Sequence, residues 1–163
     1  MRTGFISIGS NIDKEIHIPS SLRALEKEFG VLLLSSVYES EAVGFEGDVF
    51  HNMVVGFESD KDVKSVAKIL RQIELDHGRT RDSRKYAART LDLDLILFGD
   101  LIFHEGRLQI PRDEIERYAF VLEPLAEIVP DLTHPISHQT YAQMWAEYDK
   151  SHLKQQKLPR SEP

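Results

Sequence analysis

The chain has 163 residues, 41% apolar and 29% charged, with a net charge of −7 and no cysteine. That length suits one domain around one core, and the acidic balance argues against a general binder of nucleic acid or anionic membranes. The missing cysteines exclude disulfides, zinc–thiolate sites and thiol nucleophiles, in keeping with a reducing cytoplasm. No apolar run approaches the ~20 residues of a membrane span, and MRTGFISIGSN lacks a signal layout.

In chain order, residues 4–8 (GFISI) read as a strand closed by the turn chemistry of Gly9, Ser10 and Asn11. Ile18, Leu22, Leu25 and Phe29 fall at helical spacing, with Pro19 expected in the first turn and Gly30 as the stop. Residues 31–38 (VLLLSSVY) and 49–57 (VFHNMVVGF) read as strands separated by a Gly- and acid-containing loop. Val63, Val66, Ala67, Leu70 and Ile73 recur at i, i+3, i+4, i+7 and i+10, so residues 62–77 form an amphipathic helix that starts near Asp62. Residues 91–98 (LDLDLILF) are a strand ended by Gly99 and Asp100.

The order β-α-β-β-α-β predicts a ferredoxin-like α+β fold. Its antiparallel sheet carries helices on one face and leaves the other for a substrate. A C-terminal hairpin over residues 101–110 and a helix over 119–128 follow. The domain spans residues 1–149, and residues 150–163 read as a polar, frayed tail.

Two features carry chemistry. From Arg79 to Arg89 stand five cationic residues (Arg79, Arg81, Arg84, Lys85, Arg89) against Asp82, a basic island in an acidic chain that suits a small polyanion or forms a solvated loop. Just downstream, strand alternation puts Leu91, Leu93, Leu95 and Leu97 on one face and Asp92 and Asp94 on the other, roughly 7 Å apart. Two carboxylates so placed can hold Mg²⁺, which takes one or two protein carboxylates plus phosphate oxygens and water; otherwise they are an exposed polar face. Arginines followed by a metal pair are the parts phosphoryl transfer needs. GxxxxGK[ST], kinase loops and HExxH are all missing, which excludes P-loop, protein-kinase and zincin chemistry. Glu74, four after Leu70, faces the sheet or its edge, as a site residue or one reaching water. Phe50 and Asn52 share a strand face, where Phe could stack on a planar ring and Asn could read its edge; core Phe with surface Asn is the plainer reading. Phe120, in YAFVLEPL, reads as a core residue by itself.

Together these segments resemble the hydroxymethyldihydropterin pyrophosphokinases. The resemblance runs through FISIGSN, SSVYESEAVG, Phe50-x-Asn52, IELDHGRTR, ARTLDLDLILFGD and PLAEIVPDLTHP. It implies that Asp92 and Asp94 hold two Mg²⁺ ions. Arg79, Arg89 and Asp94 would be catalytic, and ATP would be bound by Glu74, Arg81, Tyr86, Leu95, Arg107 and Arg112. The pterin would sit between Phe50 and Phe120, read by Asn52 and the segment of Ser40, Ala42 and Val43. Its hydroxymethyl oxygen would attack the β-phosphorus of ATP and release AMP. The resemblance further implies a cytoplasmic monomer whose partners are ATP and a pterin alcohol, with no nucleic acid or membrane.

The chain departs from the family pattern at Ser40 and Ala42 (usually Thr and Pro), Ala87 and Ala88 (Gly-Pro), Arg112 and Asp113 (His-Pro), and Tyr118 (Arg). These changes keep open a paralogue acting on a different pterin-like alcohol. A single-stranded RNA-binding module of the same fold is the alternative of another class, although the RNA-recognition aromatic pattern is missing.

Overall fold

The computed structural model describes residues 1–40, 49–78, 91–151 and 153–159. In chain order its elements are β1 (Arg2–Ser10), α1 (Lys14–Phe29), β2 (Leu33–Leu34), β3 (Tyr38–Ser40), β4 (Phe50–Ser59), α2 (Val63–Asp76) and β5 (Asp92–Phe98). There follow β6 (Phe103–Glu105), β7 (Leu108–Ile110), α3 (Glu114–Arg117), α4 (Ala119–Ile128), α5 (Tyr141–Glu147) and β8 (Gln155–Lys157). The main sheet runs β5-β1-β4-β3-β8, with β2 also pairing β4, and every pairing is antiparallel. The expected ferredoxin-like order is therefore present, and β6 and β7 form the expected hairpin.

One core lies between the sheet and the two long helices. Ile6 and Ile8 of β1, Met53 and Val55 of β4, and Leu91, Leu93 and Leu95 pack against Ile18 and Leu25 of α1 and Val66, Leu70 and Ile73 of α2. Each fully buried aliphatic side chain of this kind contributes roughly 1.5–3 kcal/mol. Asp62 starts α2 by accepting a hydrogen bond from the Ser65 N–H at 2.8 Å.

The other face is only half open. Phe5, Val54, Ile96 and Leu97 form a second core with Ile115 of α3, Val121, Leu122 and Leu125 of α4, and Tyr141 of α5. Ile96 is the reason Leu97 joins that core and not Leu95's. Ile6 pairs with Leu95 but Phe5 pairs with Leu97, so Ile96 is a bulged residue and the alternation expected across residues 91–97 changes parity there.

Three other expectations need correction. Residues 31–38 do not make one strand: Leu33–Leu34 and Tyr38–Ser40 pair separately with β4, and between them the Ser35 hydroxyl accepts from the Val54 N–H at 2.9 Å. Helix α1 starts one turn early, so Pro19 lies in its second turn; its missing donor would serve the carbonyl of Glu15, an exposed residue that water reaches. The segment read as a frayed tail holds β8, which pairs with β3, and the Leu158 N–H extends that ladder to the Val37 carbonyl at 2.9 Å.

Candidate active site

Side chains that oppose each other across antiparallel strands share a face. On the sheet face away from α1 and α2 this rule sets out one continuous row: Asp92 on β5, Gly9 on β1, Asn52 on β4, Tyr38 on β3 and Lys157 on β8. A second row holds Asp94, Ser7 and Val54, and a third holds Phe50, Ser40 and Gln155. The two carboxylates thus stand at one edge, Asn52 and Phe50 stand two strands away, roughly 10 Å across the sheet, and Ser40 stands one strand further.

Asp94 is exposed and Asp92 partly so. Among the described residues no three His, Asp or Glu side chains gather as a closed metal cage. A pair of hard carboxylates on an accessible face fits Mg²⁺, whose remaining ligands are water and phosphate oxygens. Glu74 is buried in α2 and accepts a hydrogen bond from the Leu93 N–H of β5 at 2.8 Å, so it faces the sheet's edge. Leu95 has its side chain in the helix-side core, which leaves its backbone on that edge strand as what it can offer a ligand.

Asn52 is buried, and its amide donates to the Ser40 hydroxyl at 3.0 Å. Gly9 makes room for it: a Cβ at that position would lie 3.0 Å from the Asn52 Oδ1. Phe50 is half-buried beside them, on the face that alternation assigns. Phe120, in the first turn of α4, is also half-buried. The Tyr118 ring stacks on it with centroids 4.9 Å apart and planes 16° off parallel. Arg117, the residue before Tyr118, is exposed, paired with Asp113 at 3.4 Å and lying over the Tyr118 ring.

Arg112 follows the hairpin, and its backbone N–H donates to the Ile96 carbonyl at 3.0 Å. Its half-buried guanidinium grips Glu114 with two donors, Nε to one oxygen and Nη2 to the other at 3.1 Å. Burial works against that charge, but Glu114 and then Asp94 more than offset it and hold Arg112 above the ordinary arginine range. Its ion-pair partner is therefore Glu114, two residues on. Arg107 is exposed at the tip of the β6–β7 hairpin, two residues from Glu105, which pairs with Lys64 at 2.8 Å. Arg79, Arg81, Tyr86, Arg89, Ala42 and Val43 lie outside the described residues.

Sequence reasoning missed Glu127. From α4 it accepts hydrogen bonds from the Ser36 N–H at 2.9 Å, the Ser36 hydroxyl at 2.7 Å and the Tyr38 hydroxyl at 2.9 Å, and it lies 3.7 Å from Lys157. It fastens the helix that carries Phe120 to the strand that carries Ser40. The only sequence signal was an acid in the last turn of an apolar helix.

Residues 5–130 match the family model described as 7,8-dihydro-6-hydroxymethylpterin-pyrophosphokinase. The chain belongs to this family. A 2-amino-4-hydroxy-6-hydroxymethyldihydropteridine pyrophosphokinase of Pseudomonas aeruginosa is 35% identical over 135 residues, covering 80% of this chain and 83% of its own. The enzyme of that name from Bacillus subtilis is 35% identical over 128 residues, 76% of each chain. Among solved structures, the wild-type HPPK-DHPS of Plasmodium falciparum superimposes with a TM-score of 0.72 at 13% identity, over 90% of this chain and 44% of that one. That likeness supports the fold, and the chain spans less than half of the longer protein. Membership makes the chain an ATP-dependent pyrophosphokinase and sets aside the RNA-binding alternative.

Proposed function

We propose that the chain transfers diphosphate from ATP to the hydroxymethyl group of 6-hydroxymethyl-7,8-dihydropterin, releasing AMP, in folate biosynthesis. The pterin hydroxyl oxygen bonds to the β-phosphorus as the bond from that phosphorus to the α–β bridging oxygen breaks. AMP leaves with the bridging oxygen, and the hydroxyl proton is released.

The observation that carries this reading is the arrangement of the open sheet face. A carboxylate pair and a ring-reading Asn–Phe pair lie on one surface, separated by the width of β1 and its neighbours, roughly 10 Å. That gap matches the span from a pterin ring, through its hydroxymethyl arm, to a phosphate chain lying along the far edge. Phe50 and Phe120 bound the ring, and Asn52, held by Ser40, presents its carbonyl oxygen and its remaining N–H to the ring's donor and acceptor edge. Asp92 and Asp94 would hold Mg²⁺, which when bound shields phosphate charge from the incoming oxygen. Arg79, Arg81, Arg89 and Arg112 would supply fixed positive charge along the phosphates, with Tyr86, Arg107, Glu74 and the Leu95 backbone on the nucleotide side. Ala42 and Val43 would complete the pterin edge. Catalysis of this kind is mostly positioning and electrostatics, so the protein needs no covalent intermediate. The lack of cysteine supports a cytoplasmic setting, and no described helix is long and apolar enough to cross a membrane.

The test is direct: purified protein, ATP, Mg²⁺ and 6-hydroxymethyl-7,8-dihydropterin are mixed and AMP is measured. AMP appearing only when the pterin is present supports the reading, and its absence with active substrate batches overturns it.

A further inference from the structure

The C-terminal strand lies past residue 130, where the family match ends, yet it touches both walls of the proposed pterin site. Gln155 of β8 pairs with Ser40 of β3, the strand residue that holds the Asn52 amide. Its side chain rises on the same face as Ser40 and Phe50. The Gln155 Nε2 donates to the Ala119 carbonyl at 3.1 Å and to the Glu123 carboxylate at 2.8 Å, both on α4. Ala119 is the residue immediately before Phe120. One residue therefore joins the strand that reads the ring's edge to the helix turn that presents the aromatic wall.

We infer that Gln155 is a positioning residue for the pterin, setting the gap between the Ser40–Asn52–Phe50 wall and Phe120. The inference rests on the pterin-kinase reading above. Its physical basis is that an aromatic clamp binds a flat ring only at a fixed spacing, so a contact that fixes that spacing before binding lowers the ordering cost of binding. Phe120 sits in the first turn of α4, where the helix's own hydrogen bonds do not yet hold the chain. Glu127 anchors the other end of the same helix to Ser36 and Tyr38, and Gln155 is a tie at the end next to the ring. The metal side of the sheet, at Asp92 and Asp94, is separated from β8 by three intervening strands and makes no use of this contact.

The test compares Gln155→Ala with two companions, using the full chain. Gln155→Lys keeps a donor within reach of Glu123 and Ala119. Gln156→Ala alters the neighbouring residue of the same strand, which points to the opposite face, opposite Glu39. Pterin affinity is read by fluorescence titration and by KM, ATP affinity by KM, and folding by thermal melting. Gln155→Ala should weaken pterin binding about fivefold, the loss that removing one or two such hydrogen bonds produces, with KM for ATP and kcat within about twofold. Gln155→Lys should recover most of the loss, and Gln156→Ala should match the parent. Unchanged pterin affinity in Gln155→Ala overturns the inference. So does an equal weakening of pterin and ATP accompanied by a lower melting point, which a merely structural role would give. A parent that neither binds the pterin nor releases AMP overturns the pterin-kinase reading and this inference together, whereas an active parent with an indifferent Gln155→Ala overturns the inference alone.

Discussion

Removing the Glu127 carboxylate tests how far the second core depends on one polar hub. Glu127→Ala deletes the acceptor of three hydrogen bonds, from the Ser36 N–H, the Ser36 hydroxyl and the Tyr38 hydroxyl, and leaves Lys157 without its partner at 3.7 Å. Ser36 is buried and Tyr38 fully so, while Glu127 itself is partly exposed, so water reaches some of what they lose. A hydrogen bond to a charged group contributes about 1.5–3 kcal/mol net, and three bonds sharing one carboxylate do not add in full. The expected loss is therefore about 3–4 kcal/mol for Glu127→Ala and about half of that for Glu127→Gln, which keeps one acceptor oxygen.

The pH dependence gives a second reading of the same contact. Burial pushes the Glu127 carboxyl up, but the Ser36 and Tyr38 donors and Lys157 together draw it below its ordinary value of 4.5. A carboxyl lowered on folding adds stability that is fully present above about pH 4.5 and is lost as pH falls through the lower folded value. Urea unfolding at pH 7 and across the range below pH 5 measures both effects. Glu127→Gln should be less stable at neutral pH and should lack that part of the acid loss. A deficit under about 1 kcal/mol in Glu127→Ala, with an acid profile like the parent's, would refute the hub, since even one such bond contributes more.

Two further outcomes bear on the site. Asp92→Asn and Asp94→Asn should each lower turnover about a hundredfold or more while melting stays near the parent's, and excess chelator should stop the parent; near-normal rates in both variants would remove them as metal ligands. Gly9→Ala should weaken pterin binding about threefold to tenfold and leave ATP affinity alone, because the new Cβ meets the Asn52 Oδ1 at 3.0 Å and pushes the amide away from Ser40; titration of pterin fluorescence reads this, and an unchanged affinity would detach Asn52 from the ring.

What could be read from the sequence was what is local. The face shared by Phe50 and Asn52, the buried stripe of α2 and the shared side of Asp92 and Asp94 follow from period-2 and period-3.6 patterns that a window of a dozen residues contains. The parity change at Ile96 was invisible because Leu95, Ile96, Leu97 and Phe98 are all apolar, so no polar residue marks which face each takes. β8 was invisible for the opposite reason. Gln155, Gln156 and Lys157 carry no apolar alternation, and an edge strand held on one side needs none. That Gly9 lies between Asn52 and Asp92 depends on strand register between segments more than forty residues apart, which no local pattern encodes. Pro19 misled because a proline is favoured in the first turn, yet here the second turn tolerates it beside an exposed carbonyl.

Arg112 shows how a departure from the family pattern changes its meaning once its partner is known. Unpaired, an arginine near Asp94 would add one positive charge at the mouth of the nucleotide side. Paired with Glu114 through two donors, it adds a dipole, with a carboxylate beside the cation. Arginine has five N–H donors, so the Glu114 contact leaves three for a phosphate and fixes the plane of the group that offers them. Glu114 therefore orients Arg112 while subtracting from its field, and the two substitutions should move ATP affinity in opposite directions. A unit charge about 6 Å from a phosphate in water-like surroundings changes binding by about 0.7 kcal/mol, about threefold. Glu114→Gln should tighten ATP binding by about that factor at low salt, and Arg112→Ala should weaken it by at least as much. Both effects should shrink at physiological ionic strength, where the screening length is about 8 Å. Calorimetric titration with ATP and Mg²⁺ at two salt concentrations measures them. If both variants bind ATP like the parent, the pair is a surface brace for the turn into α3. If both weaken it equally without salt dependence, Glu114 acts only by holding Arg112 in place and does not subtract from its field.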